Sequence, residues 1–229
     1  MEIAPPVPLM ARKTLERSNE LPYHVTLRVN NRELFPLELS RVWKILMDEC
    51  QHLTWVYGAH FHAVVLMPNH IHMLITVPEF DLGKAMDIFV PALTRALHRQ
   101  TGRTGRIFGG RYHWSIILGT RYYGHVFKYV YRNPAKARLC KWVEDYPFST
   151  LAGLVGSATA ELPLQFTRVG LEANLPWQLG EAAELLPWLN TPFSTEVDRL
   201  IGIGLRKTLF HDLKDRSSRK PIALLNELL

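Results

Sequence analysis

Alternation of apolar and polar positions along the chain gives the first outline. Tyr23 to Val29 (YHVTLRV) is rich in β-formers and predicts a strand, closed by an Asn30-Asn31 turn. From about Pro36 to Leu53 the apolar residues Leu39, Val42, Leu46 and Met47 recur at helical spacing. Two β-rich runs follow, Phe61 to Met67 and His70 to Val77. Only Pro68-Asn69 separates them, which predicts a tight hairpin. A second helix is expected over Leu82 to Gln100, kinked at Pro91. The Gly- and Arg-rich stretch Gly102 to Gly110 reads as a loop and Tyr112 to Leu118 as a strand. A third helix runs from Tyr122 to about Asn133, where Pro134 ends or kinks it. The order β-α-β-β-α-β-α predicts an α+β fold, a ferredoxin-like antiparallel sheet flanked by helices.

Past about residue 155 the pattern loosens. Residues 1–20 read as an arm and residues 1–155 as the main domain. Residues 156–229 read as a helical C-terminal extension, with one helix over Thr195 to Leu213 and a second over Lys220 to Leu229. The basic run Arg216 to Lys220 links those two helices.

Composition narrows the function. The chain has 229 residues and a formal net charge of +6. Cys50 and Cys140 are the only cysteines, which excludes a zinc ribbon and a disulfide framework and suits a reducing cytosol. The N-terminus lacks the apolar run of a signal peptide, and no apolar run is long enough to span a membrane. A cytoplasmic, nucleoid-associated protein is the expectation.

The charge is unevenly placed. No acidic residue occurs between Asp87 and Glu144, while that stretch carries cations including Arg106, Arg111, Lys128, Arg132 and Lys136. Aromatic residues such as Tyr112 and Tyr129 are interleaved with them. A polyanion would neutralise such a surface, and aromatic rings offer platforms for unpaired bases. Arg106, Arg111, Tyr112, Lys128, Arg132 and Lys136 are therefore expected DNA-binding residues, and Arg28 on the first strand is expected to join them.

Two motifs carry chemistry. On a strand, His70 and His72 share one face, about 7 Å apart at Cα, so their imidazoles can converge on one divalent cation. His60 and His62 form a competing pair. In the register of a two-residue turn, Met67 pairs with His70 and Val65 with His72, which places His60 and His62 on the opposite face. The second motif is Tyr129 and Asn133, four apart on one helix face. A tyrosine hydroxyl, with its pKa near 10, is a weak nucleophile at neutral pH unless a metal or cations favour the phenolate. The Asn133 amide oxygen suits Mg²⁺ or Mn²⁺ as a third ligand, though Asn133-Pro134 also fits a helix N-cap. Tyr122, Tyr123 and Tyr131 are alternative nucleophiles on these grounds alone.

Taken together, five collinear segments resemble the REP-associated tyrosine transposases, relatives of the IS200/IS605 single-tyrosine family. They are YHVTLRVNNRELF from Tyr23, MPNHIHMLI from Met67, GRIFGGRY from Gly105, YVYRNP from Tyr129 and DYPFS from Asp145, covering roughly residues 20–152. The resemblance implies an HUH endonuclease acting on single-stranded or hairpin DNA. Tyr129 would be the catalytic nucleophile forming a 5′-phosphotyrosine link. His70, His72 and Asn133 would hold Mg²⁺ or Mn²⁺, and the protein would be a monomer or homodimer. The chain departs from the family's Asn-Pro-Val-Arg-Ala-Gly, having Asn133-Pro-Ala-Lys-Ala-Arg138, and has Phe148-Ser-Thr where Trp-Ser-Ser is usual. A domesticated DNA-hairpin-binding protein without catalysis is the alternative, and an RNA-binding module a third reading, lacking an RNP-like aromatic motif.

Overall fold

The computed structural model describes residues 17–173 and 182–210. Strand β1 (Tyr23–Arg28) leads through a 3-10 turn at Asn30–Arg32 to helix α1 (Leu39–Tyr57). The hairpin β2 (His60–Met67) and β3 (His70–Thr76) follows, then α2 (Leu82–Thr101), β4 (His113–Ile117) and α3 (Thr120–Lys136). Short helices α4 (Leu151–Leu154) and α5 (Arg168–Leu171) come next. Then come α6 (Ala182–Asn190), α7 (Thr195–Gly204) and a two-residue strand β5 (Leu209–Phe210). The sheet order is β2-β3-β1-β4-β5, antiparallel except for the last pair. The first four strands have the expected ferredoxin-like order. The arm up to residue 16, the Arg216–Lys220 link and the Lys220–Leu229 helix lie outside the described residues.

Strand alternation divides the core in two. Val25, Leu27, Ile71, Met73 and Ile75 pack with Val42, Leu46, Met86 and Phe89 beneath α1 and α2. On the other face, Val65, Met67, Leu74 and Ile117 pack with Val126, Phe127 and Val130 of α3. The C-terminal elements join this second cluster through Leu189, Leu200 and Ile201. Each such side chain, fully buried, contributes on the order of 1.5–3 kcal/mol. In α7 the buried Val197, Leu200 and Ile201 together outweigh the weak helix propensity of a ten-residue segment that contains Gly202 and Gly204.

Several expectations need correction. The Pro68-Asn69 turn sets the expected register, with Met67 opposite His70 and Val65 opposite His72. A β-bulge between Phe61 and Ala63 then inserts His62 as an extra residue. The bulge reverses the faces beyond it, so His60 pairs with Thr76 and His62 turns towards α3, not away from it. The Thr195–Leu213 helix stops at Gly204, and the chain returns to pair Leu209 and Phe210 with Ile116 and Ile117. A Cβ at Gly204 would stand 2.3 Å from the Phe210 ring, so this close approach requires glycine. Helix α2 runs on through Pro91, as expected of one helix over that range, and ends one residue later than expected at Thr101.

Pro134 likewise does not end α3. Proline lacks the N–H that would bond the Val130 carbonyl, and the Asn133 side chain reaches that carbonyl only at the limit of hydrogen-bond distance. Asn133 Nδ2 donates to Tyr129 O at 2.8 Å and approaches Val130 O at 3.5 Å. The helix closes instead in a Schellman motif: Leu139 N bonds Pro134 O, Arg138 N bonds Ala135 O, and Arg138 takes φ +59°. This is the position where the resembled family carries glycine. A left-handed arginine costs about 1–2 kcal/mol relative to glycine's freedom. Arg138→Gly is therefore expected to stabilise the fold, read as a higher urea midpoint at unchanged slope.

Candidate active site

The site forms where β1 and β3 lie under α3. On β3, His70 and His72 face the helix, since Ile71 and Met73 are buried on the other side. On β1, His24, Thr26 and Arg28 share that face, and the register sets Thr26 opposite His72 and Arg28 opposite His70. Tyr129 descends from α3 between them. Its ring centroid lies 6.0 Å from that of His72 and 6.1 Å from that of His24, both edge-on. The His70 and His72 centroids are 4.8 Å apart.

Hydrogen bonds organise the imidazoles. His72 Nδ1 lies 3.0 Å from His24 Nε2 and 3.4 Å from Thr26 Oγ1. His72 Nε2 is buried with no partner among the described residues. His70 Nδ1 lies 2.6 Å from Asn69 Oδ1. Burial, followed by repulsion from His113 and His70, lowers the His24 pKa to about 3; burial and then Arg28 lower that of His70 to about 4. His72 is pushed well down, chiefly by burial and next by His24. All three rings are thus neutral at pH 7, the form that binds metals. Tyr129 is half-buried, and its pKa is raised by burial and by Asp198, against the opposing pull of Arg28 and Arg206.

The residues fit a divalent cation. An orphaned buried imidazole nitrogen is a costly group that a cation would satisfy. Asn133 stands one turn beyond Tyr129, and because its Nδ2 is committed to Tyr129 O, Oδ1 is the atom left to act as ligand. Among the described residues no group of three His, Cys, Asp or Glu side chains is arranged to hold a metal by itself.

The alternative tyrosines are engaged elsewhere. Tyr131 is buried with its hydroxyl 2.9 Å from Thr150 Oγ1, and Tyr123 is buried against His62 Nδ1 at 2.9 Å. Tyr122 packs against Phe210. His62, the rival histidine, is closed in by Tyr123 and by Thr76 Oγ1 at 3.0 Å.

The expected DNA-binding residues separate into two groups. Arg28 and Arg111 line an open groove with Asn30, Arg32, Gly110 and His113, beside the site, and Arg106 is exposed on the neighbouring loop. Lys136 is exposed, paired with Asp198 and 5.6 Å from the Tyr129 ring centroid. The others are not on a free surface. Tyr112 packs into the core under α1 and α2. Lys128 is 6% exposed, its Nζ 4.9 Å from the Trp188 ring and 5.0 Å from Phe193. Burial, then Arg132, lowers its pKa to about 8. Arg132 donates to the carbonyls of Leu189 and Asn190 at 2.8 and 2.7 Å. The C-terminal elements cover these two cations, a contact that a local sequence window cannot display. The acid-free stretch also acquires counter-charges from outside it, Glu33 on Arg103 and Asp198 on Lys136.

His24, Asn69, Asp198 and Arg206 are the residues that motif reading did not nominate. Period-two alternation in YHVTLR puts His24 on one face with Thr26 and Arg28, but the residue register that sets His24 against His72 is visible only in the structure.

The candidate site is thus an antiparallel sheet that carries two histidines beneath a helical tyrosine. No family model matches the chain. It is 34% identical over 91 residues to the REP-associated tyrosine transposase of Escherichia coli K12, covering 39% of this chain and 52% of that protein. A Haemophilus influenzae protein provisionally given the same name is 29% identical over 112 residues, covering 44% and 61%. The chain thus spans between half and three-fifths of the curated relatives it matches. The solved structure of a REP-associated tyrosine transposase bound to a REP hairpin shares the fold. Its TM-score is 0.54 at 22% identity, over 69% of this chain and 92% of that one. Over these regions the chain is similar to the REP-associated tyrosine transposases, the family its motifs resemble. No described helix is long and apolar enough to cross a membrane.

The buried histidines make the fold acid-sensitive in a defined window. His24 and His62, each with a pKa near 3, stay neutral in the folded chain while the unfolded chain takes up protons near pH 6.5. Stability is therefore full above about 6.5 and falls as pH drops towards 3. Urea midpoints of metal-free protein measured from pH 7 to 4 should decline continuously, and His62→Gln should make that decline shallower.

Proposed function

We propose that the protein is a metal-dependent single-stranded DNA endonuclease and strand transferase acting on hairpin DNA through Tyr129. The observation that carries this reading is the edge-on placement of Tyr129 against His72, whose Nε2 is buried and unpartnered. The relatives' designation as transposases, and the hairpin bound to the solved one, support the substrate class.

In this reading the Tyr129 Oη attacks a DNA phosphorus. The Oη–P bond forms as the bond from phosphorus to the 3′ oxygen breaks. The hydroxyl proton is lost, the departing oxygen takes up a proton to become a 3′-OH, and a 5′-phosphotyrosine remains. Transfer runs the same exchange backwards with another 3′-OH. A divalent cation held by His70, His72 and Asn133 would supply positive charge against the phosphate oxygens. Phosphoryl chemistry asks the protein mainly for positioning and charge. Arg28, exposed and opposite His70, is placed to add a cation there, and it pulls the Tyr129 pKa down. Burial raises the Tyr129 pKa further above neutral, so forming the phenolate needs positive charge beside it. The groove lined by Arg28, Arg32 and Arg111 leads single-stranded DNA towards the tyrosine. Whether the assembly is a monomer or a homodimer, one chain contains the full set of proposed groups.

The test is a denaturing gel with labelled palindromic oligonucleotides and Mn²⁺ or Mg²⁺. Wild type should give a slow-migrating covalent species that chelator removes. Tyr129→Phe should lose it while native-gel binding persists within about threefold, since only one hydroxyl is removed. An adduct that survives Tyr129→Phe rules out this nucleophile. Tight binding by wild type with no adduct on any hairpin would point to a binding protein without catalysis.

A further inference from the structure

Both proposed ligand histidines spend Nδ1 inside the protein, each on a different kind of neighbour. Asn69 Nδ2 donates to Arg32 O at 3.0 Å, which fixes the amide so that Oδ1 faces His70 Nδ1 at 2.6 Å. An amide oxygen only accepts, so the His70 Nδ1 carries the proton and Nε2 carries the lone pair. His72 is set by a third imidazole. Its Nδ1 meets His24 Nε2 at 3.0 Å, and its own Nε2 is buried without a partner. If His72 Nδ1 accepted that bond, Nε2–H would be a buried donor with nothing to receive it, occupying the place of the cation. If Nδ1–H donates, a lone pair is left at Nε2.

We propose that His24 and Asn69 are positioning residues that lock His72 and His70 in the Nδ1-protonated tautomer and so aim both Nε2 lone pairs at the cation. This rests on the reading of His70 and His72 as metal ligands. Such outer partners fix ring orientation and raise ligand basicity, and their loss typically costs about 10–100-fold in metal affinity. A carboxylate or carbonyl commonly fills this place. Here the acceptor to His72 is a buried imidazole on the adjacent strand, placed diagonally because Thr26 lies opposite His72 and His24 two residues before it. His24 Nε2 is thereby committed to His72, so His24 acts through the ligand instead of on the metal. The Asn69 support also ties the metal site to the Asn30–Arg32 turn, through the Arg32 carbonyl.

Two measurements test this without turnover. Nitrogen-15 NMR of the histidine side chains in metal-free wild type should show His70 and His72 protonated at Nδ1; His72 protonated at Nε2 overturns the proposal for His24 whatever the variants do. Calorimetric titration with Mn²⁺ then compares variants that retain the wild-type melting profile. His24→Leu and Asn69→Ala should each weaken binding about 10–100-fold. His24→Gln, whose Oε1 can still accept, should stay closer to wild type than His24→Leu. If His72→Ala abolishes binding and His24→Leu leaves it unchanged, the positioning role is wrong and the ligand reading stands. If His72→Ala itself binds Mn²⁺ like wild type, the ligand reading fails and takes this inference with it.

Discussion

The pairing of β3 between β2 and β1 decides which way the two histidines of the His-Ile-His segment point. A slip of one residue would send His70 and His72 into the apolar layer under α1 and α2, and Ile71 and Met73 towards α3. The tight Pro68-Asn69 turn fixes the register on one side, and the apolar load of Ile71, Met73 and Ile75 fixes it on the other. The same register brings His24, Thr26 and Arg28 alongside the histidines. A buried polar layer then exists only because α3 roofs it, and α3 is itself held down by Val126, Phe127 and Val130.

Burial is the second constraint and acts on every titratable group in that layer. It keeps the three imidazoles neutral and Tyr129 protonated, so the metal-free site has little charge of its own. The charges that matter stand at its rim: Arg28 at the end of β1, Lys136 near the end of α3, and Asp198 and Arg206 from the C-terminal elements. Asp198 opposes Arg28 in its effect on Tyr129 while pairing with Lys136. The C-terminal elements therefore affect the electrostatics of the proposed nucleophile as well as covering Lys128 and Arg132.

Local signals were legible where one interaction dominates. Alternation located β1, β3 and β4, and the hairpin turn gave its register to within the bulge. The bulge at His62 was not readable because its cause is tertiary, a histidine drawn towards Tyr123 and Thr76. Pro134 does not end α3 for a similar reason, since the packing of the helix against the second core cluster carries it on to Lys136. The tyrosine and the histidine pair were found as motifs, and the fold brings them together. His24 is a single histidine on an apolar strand and carries no signal until the register that sets it against His72 is known. Lys128, Arg132 and Tyr112 looked like a DNA surface because a run of cations and rings does not say which of them other elements will cover.

The claim on which the account stands is that Tyr129 becomes covalently joined to DNA. A hairpin substrate cleaved in the presence of Mn²⁺, followed by trypsin digestion and fragmentation mass spectrometry, locates the attached nucleotide directly. Cleavage after Lys128 and Arg132 isolates a peptide holding Tyr129 and Tyr131, and fragmentation distinguishes the two. The phosphonucleotide is expected on Tyr129. Attachment to Tyr131, or to any residue outside that peptide, would contradict it.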